Sequence, residues 1–208
     1  HEPFLPLAVA ASNTKKINLI TSIAIAFARN PMLLANIGYD LQLLSKGRFI
    51  MGLGSQIKPH IEKRFSMPWS SPANRMREMI QAIKSIWECW ENGTRLNFKG
   101  EFYSHTLMTP LFNPGKHEYG LPSIYLAGVG PLMTCVAAEV ADGLLVHPFH
   151  SVKSLQAITL PAVDKGLNKS KNKNFKISIG VMVAAADDQD ELDPVSYTHL
   201  RAHETPAN

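Results

Sequence analysis

Hydrophobic residues along the chain gather in two kinds of run that take turns. The first kind is short, rich in β-branched residues and without alternation: Ile17 to Phe27 (INLITSIAIAF), Arg48 to Leu53, Ser123 to Val129 (SIYLAGV), Gly143 to His147 and Lys176 to Ala185. Such runs predict strands buried on both faces, because a strand with one wet face alternates apolar and polar positions. In the second kind the runs are longer and read as helices: Pro3 to Thr14, Pro31 to Ser45, Pro72 to Glu91, Pro131 to Ala141 and Val152 to Leu167. Pro31, Pro72 and Pro131 open their helices, where a missing N–H leaves no bond unmade.

Strand and helix alternate without hairpin signals, which means βαβ units and a parallel sheet. An open doubly wound sheet would be complete with these units, whereas a (β/α)8 barrel needs ~250 residues and would here be truncated at both ends. The start at His1, directly on helix-like sequence, favours the truncated barrel. One segment breaks the rhythm. Residues 92–121 hold NGTRLNFKGEFYSHTLMTPLFNPG, far longer than the roughly two to six residues of a usual connection. Phe98, Phe102, Tyr103 and Phe112 argue that it is ordered, as an insertion with short strands lying over the strand ends as a lid or substrate wall.

Composition changes this picture little. The 208 residues carry a formal charge of +4. No Lys/Arg stripe is interleaved with aromatics, so a nucleic-acid surface is not expected. No apolar run approaches the ~18 residues that span a bilayer, and a cytoplasmic location is the default. Cys89 and Cys135 lack a Cys-x-x-Cys spacing and read as small buried hydrophobes in a reduced compartment. Residues 195–208, VSYTHLRAHETPAN, have no apolar period and resemble translated sequencing adapter, so the domain is taken as 1–194 and the tail set aside. The i, i+4 pair His199 and His203 falls in that tail, and no metal site is expected.

Two glycine pairs end strands. The first, in RFIMGLGSQIKPH, lacks the third glycine of a dinucleotide fingerprint, since Ile57 stands there, and Pro59 falls where the phosphate helix should already run. Ser55 has no flanking glycine pair in the register of a nucleophile elbow. The second pair, Gly128 and Gly130 in YLAGVGPLMTC, precedes a helix opened by Pro131, and backbone N–H groups at a helix start without a Cβ in the way can hold a phosphate. In a parallel barrel both pairs share one mouth, so one holds a phosphate while the other lets a flat ring approach the backbone.

Taken together, TSIAIAFARNP, GRFIMGLGS with its following His-containing loop, and IYLAGVGPLMTCVAAEVADGLLVHPF resemble the luciferase-like monooxygenase superfamily, and within it the oxidoreductases that use the deazaflavin coenzyme F420. The resemblance runs from His1 to about residue 190. It implies a truncated (β/α)8 barrel. It places Ser22 and Ile23 at a strand bulge, often with a non-prolyl cis peptide, that backs the cofactor ring, beside Gly54, Ser55, Gln56 and His60. Ala127, Gly128, Val129 and Gly130 fall at the phosphate cradle, and Arg29 and His147 are candidate contacts to an anion or substrate. The chain departs from the family pattern after the first glycine pair, with Gln56 for a glycine, Ile57 for an acid and His60 for an asparagine. His60 is left as the candidate proton donor. The activity implied is hydride transfer between F420 and a small-molecule substrate; the alternatives are an FMN-dependent monooxygenase using O2 and a cofactor binder without turnover. A homodimer is the assembly left open.

Overall fold

The computed structural model of the chain describes residues 2–170, 172 and 174–181. The tail 195–208, with His199 and His203, and the predicted strand beyond Val181 lie outside the described residues.

The elements follow the hydrophobic pattern closely. They are α1 (Phe4–Asn13), β1 (Leu19–Ile20), β2 (Ala24–Ile25), α2 (Pro31–Ser45), β3 (Phe49–Gly54), α3 (Pro72–Asn92), β4 (Phe98–Lys99), β5 (Ser104–His105), β6 (Ser123–Gly128), α4 (Pro131–Val140), β7 (Gly143–Val146), α5 (Val152–Ser154), α6 (Leu160–Leu167) and β8 (Lys176–Ile179). Leu155–Thr159 winds as a π-helix between α5 and α6, so the helix predicted from Val152 to Leu167 is one helical run with a widened middle. Local chemistry sets the ends: the Asn30 side chain accepts from the Met32 N–H before Pro31, and Lys46 closes α2 in the left-handed conformation.

The main sheet is parallel throughout, in the order β1-β3-β6-β7-β8, with β2 beside the C-terminal half of β3. α1 packs on α2, α2 on α3, α3 on α4, and α4 on α6. Helices in the same order as the strands form a single layer, which is how a barrel wall is built; a doubly wound sheet carries helices on both faces. Along β3, Phe49 meets Phe4 of α1, with ring centroids 6.4 Å apart, and Met51 reaches Gly38 of α2. The alternate residues Ile50, Gly52 and Gly54 therefore face the inside of the curve. On α3 the stripe Met76, Met79, Ile80, Ile83, Trp87 and Trp90 is buried, each side chain worth roughly 1.5–3 kcal/mol. Cys89 and Cys135 are buried free thiols.

Two expectations are corrected. The strand read from Ile17 to Phe27 is two strands broken at Thr21–Ile23. Thr21 Oγ1 donates to the Gly52 carbonyl at 2.7 Å and accepts from the Gly52 N–H at 3.0 Å, so a side chain replaces the ladder and the chain bulges across β3. The insertion 92–121 does carry short strands, the antiparallel pair β4–β5. Its hydrogen bonds among the described residues, however, run to the outer helices, reaching as far as Arg75 in the first turn of α3. The Glu78 carboxylate on α3 accepts from the N–H groups of Glu101, Phe102 and Tyr103 at 2.9, 2.7 and 2.6 Å, while Tyr39 and Gln42 on α2 donate to the carbonyls of Gly115 and Tyr119. The physical reason is where the segment starts and ends: it leaves the C-terminal end of α3 and enters the start of β6, so it runs along the outside of the helices.

Candidate functional site

Parallel pairing brings the strand ends into one row. Ile25 stands opposite Gly54, Leu53 opposite Leu126, and Gly128 opposite Val146. The predicted groups Ser22–Ile23, Gly54–Gln56 and Ala127–Gly130 therefore share one mouth, with His147 following β7 on its far side.

The bulge between β1 and β2 shapes the near side. The peptide bond between Ser22 and Ile23 is cis, and Ser22 is exposed at the rim. A Cβ on Gly52 would fall on the Thr21 carbonyl oxygen, and one on Gly54 would lie 2.8 Å from Ile23 Cδ1. The first glycine pair is thus filled by the bulge itself. The space beside Gly54 that the sequence assigned to a flat ring is occupied by Ile23, so any ring on this side meets Ile23 and the bulge.

Past β3 the backbone turns at Gln56, whose φ of 62° is the left-handed conformation that a side chain disfavours by roughly 1–2 kcal/mol. This accounts for a glycine in the related pattern. The Gln56 side-chain oxygen accepts from the Ile57 N–H at 3.1 Å, a local bond that holds the turn. Ile57, in the acid's place, is exposed. His60 opens a short π-helical turn, Pro59 preceding it, that runs to Arg64; its N–H donates to the Ile57 carbonyl at 3.1 Å and its carbonyl accepts from Phe65. Its imidazole is exposed and has no hydrogen-bond partner among the described residues.

The second glycine pair divides into two roles. Gly128 is needed by the fold, since a Cβ there would lie 3.0 Å from Thr134 Oγ1 and 3.1 Å from the Thr134 nitrogen in the first turns of α4. Gly130 is different: it caps α4 with an extended backbone, φ −87°, no side chain caps the helix, and among the described residues no atom beyond its chain neighbours lies within 4 Å of a Cβ built there. Pro131 has no N–H and the Thr134 N–H is bonded to Gly130. The amides of Leu132 and Met133 thus remain as uncapped donors at the positive end of the helix dipole, beside open space. This is a cradle an anion fits, and Val129 beside it is exposed.

His147 and Arg29 stand at opposite edges of the mouth. The ring of His147 lies 5.0 Å from that of Phe149, and its Nδ1 accepts from the Phe149 N–H at 3.3 Å. Arg29 Nη2 is paired with Glu2 at 2.9 Å, the guanidinium lies 5.3 Å from the centre of the Phe4 ring, and Nε is buried without a partner. Arg29 also borders a cavity of about 260 Å3 that opens beside the bulge.

Two residues at this end of the sheet escaped the sequence reading. Arg75 on α3 is buried and stacked 4.6 Å from the Phe27 ring, donating from Nε to Tyr103 Oη at 2.9 Å and from Nη1 to the Pro68 carbonyl at 2.6 Å. It fixes the long connection 55–71 to the barrel wall. Arg64 ends the π-helical turn and borders the same cavity as Arg29. The available signal was the length of residues 55–71, which exceeds the usual strand-to-helix loop at the face where barrels build their sites. Among the described residues no group of His, Cys, Asp and Glu could hold a metal ion, and no helix is long and apolar enough to cross a membrane.

The comparisons agree with this architecture. A family model described as luciferase-like monooxygenase matches residues 1–205. An uncharacterized protein of Mycobacterium tuberculosis is 53% identical over 194 residues, covering 92% of this chain and 57% of its own length. An F420-dependent glucose-6-phosphate dehydrogenase of Rhodococcus jostii is 26% identical over 197 residues, 91% of this chain and 56% of the relative. The chain thus spans little more than half of these curated relatives. Among solved structures, the coenzyme F420-dependent tetrahydromethanopterin reductase of Methanopyrus kandleri superposes with a TM-score of 0.76 at 19% identity, covering 99% of this chain and 62% of that one. The likeness establishes the fold as part of the same (β/α)8 barrel.

Proposed function

The chain belongs to the luciferase-like monooxygenase family, and from that premise we propose that it serves hydride transfer between coenzyme F420 and a small organic substrate. The observation that carries the reading is the uncapped start of α4 at Gly130, open to the mouth and two strands from the bulge at Ser22–Ile23. The relative of Rhodococcus jostii supports the choice of F420.

When bound, F420 supplies the carbon that accepts or gives the hydride, so the protein's part is placement and exclusion of water. The Leu132 and Met133 amides hold the cofactor phosphate, with Gly130 leaving room for it. Ile23, seated on Gly54, forms the wall against which the ring rests. His60, on the loop after β3, supplies a hydrogen bond at the ring's polar edge and is the proton donor we assign. Ile57 in the acid's place removes a carboxylate from this loop, and that substitution favours a binder without turnover as the second reading.

The test is titration of the chain with F420 and with FMN, in the wild type and in Gly130→Val. Because nothing lies near a Cβ at Gly130 and its φ is ordinary, the variant keeps its melting temperature. Affinity is expected to fall about tenfold or more through loss of charge-assisted bonds. Unchanged affinity removes the cradle; tight binding of FMN alone transfers the assignment to an FMN monooxygenase; binding of F420 without reduction by any substrate panel makes the chain a binder.

A further inference from the structure

We infer that the cavity beside the bulge is an anion subsite for one end of the substrate, a carboxylate or a phosphate monoester, with Arg64 and Arg29 as its donors. This rests on reading the mouth as the cofactor cleft.

The cavity is built from three consecutive loops on the mouth face. Glu2 precedes α1, Ala28 and Arg29 follow β2, Arg64 and Phe65 follow β3, and Ile23 of the bulge forms the wall toward Gly54. Its volume of about 260 Å3 lies just under the ~300–1,000 Å3 of a whole ligand site, which suits one end of a molecule whose other end lies in the mouth.

The charges around it do not balance. Two guanidinium groups face a single carboxylate, and that carboxylate is already committed: Glu2 accepts from Arg29 Nη2 at 2.9 Å and, through its other oxygen, from the Phe4 N–H at 3.2 Å. Arg29 Nε is buried with no partner, a state that costs free energy until an acceptor arrives. Arg64 makes no ion pair or hydrogen bond among the described residues; its guanidinium lies 5.0 Å from the centre of the Phe65 ring. A guanidinium laid on an aromatic ring keeps its edge donors free and pre-aligned, the arrangement that favours bidentate capture of a carboxylate or phosphate.

The position decides whose anion it is. The phosphate cradle at Gly130 lies on the β6 side of β3 and the cavity on the β2 side, with Ile23 between the cavity and Gly54. The phosphate bound at one cannot also occupy the other. The second anion is therefore distinct from the phosphate of the cradle; it is assigned here to the substrate, and the parallel cofactor titration separates it from the cofactor's own tail.

The experiment measures binding of inorganic phosphate, butyrate and the neutral butyramide to the 208-residue chain by calorimetry, in the wild type, in Arg64→Gln and in Glu2→Gln/Arg29→Gln. F420 and FMN affinities are read in parallel. Arg64 is exposed, so its variant folds even where the double variant does not. Phosphate or butyrate is expected to bind and butyramide not, the better of the two anions identifying the substrate's group, and Arg64→Gln is expected to weaken that anion about tenfold with cofactor affinity unchanged. Equal binding of butyrate and butyramide, or wild-type anion affinity in Arg64→Gln, overturns the subsite, and so does a parallel loss of cofactor affinity, which would assign the arginine to the cofactor's tail. Anion binding that depends on Arg64 in a chain that binds neither cofactor establishes the anion site and sinks the cofactor reading instead.

Discussion

Gly52 and Gly54 stand two residues apart on one face of one strand, yet alanine at the two positions is expected to have unequal effects. At Gly52 the new methyl group would fall on the Thr21 carbonyl oxygen and lie 3.1 Å from Leu145 Cδ1. The carbonyl is backbone, so the bulge must move and the two buried Thr21–Gly52 hydrogen bonds must lengthen or break. Two bonds at about 0.5–1.5 kcal/mol each, with overpacking of roughly 1–3 kcal/mol, bring the cost to about 2–6 kcal/mol. At Gly54 the methyl would lie 2.8 Å from Ile23 Cδ1 and 3.0 Å from Cγ1, the far end of a side chain that can rotate for about 1 kcal/mol. Urea unfolding followed by far-UV circular dichroism reads both. With a slope of roughly 1–3 kcal/mol per M, the Gly52→Ala midpoint should lie about 1 M or more below that of Gly54→Ala. A Gly54→Ala variant as unstable as Gly52→Ala would refute the account of which glycine carries the bulge.

Three further outcomes follow from other parts of the molecule. Gln56→Gly, which relieves a left-handed backbone but loosens the unfolded chain and loses the bond to Ile57, should raise stability by about 0.5 kcal/mol in the same assay; a loss would mean the Gln56 side chain matters more than its φ. Arg75→Lys should be nearly as destabilising as Arg75→Met, by about 2–4 kcal/mol in thermal melts, because an ammonium cannot both stack on Phe27 and bond Tyr103 and Pro68; full rescue by lysine would show that charge alone suffices. Burial holds the His105 imidazole below its ordinary value of 6.5, and its Nε2 is buried without a partner. A depressed value in the folded state means stability that is present above the unfolded value and is lost as the pH falls through the folded one. His105→Gln should flatten that acid-side loss, and an unchanged pH profile of the melting temperature would contradict it.

The helices and most strands were legible because each carries its own signal. Pro31 with Asn30, the stripe from Met76 to Trp90, and the all-apolar runs at β3, β6 and β7 depend on neighbours within a few residues. What the sequence concealed depends on partners far along the chain. The hydrophobic pattern of INLITSIAIAF reads as one strand, and only the family resemblance announces the bulge at Ser22–Ile23; nothing in the pattern shows that Thr21 will bond Gly52, 31 positions away. The insertion reads as a lid because its aromatics announce order but not direction, which is set by Glu78 and Gln42 on helices outside it. The place of Gly130 at the start of α4 was legible from the strand–glycine–proline order, whereas Arg64 was one cation among many until the cavity gave it a neighbour in Arg29.

The bulge has a consequence for how such a chain changes over generations. Thr21 with Gly52, and Ile23 with Gly54, occupy one another's space, so a replacement at one member of a pair is judged by the other. Drift should be slow and concerted there, with substitutions arriving in compensating pairs. Gln56 answers only to its own backbone angle, and Ile57 is exposed to solvent. A lineage can therefore experiment with the loop after β3 while the floor beneath it stays inherited, which lets one scaffold change the rim of its mouth without first having to refold.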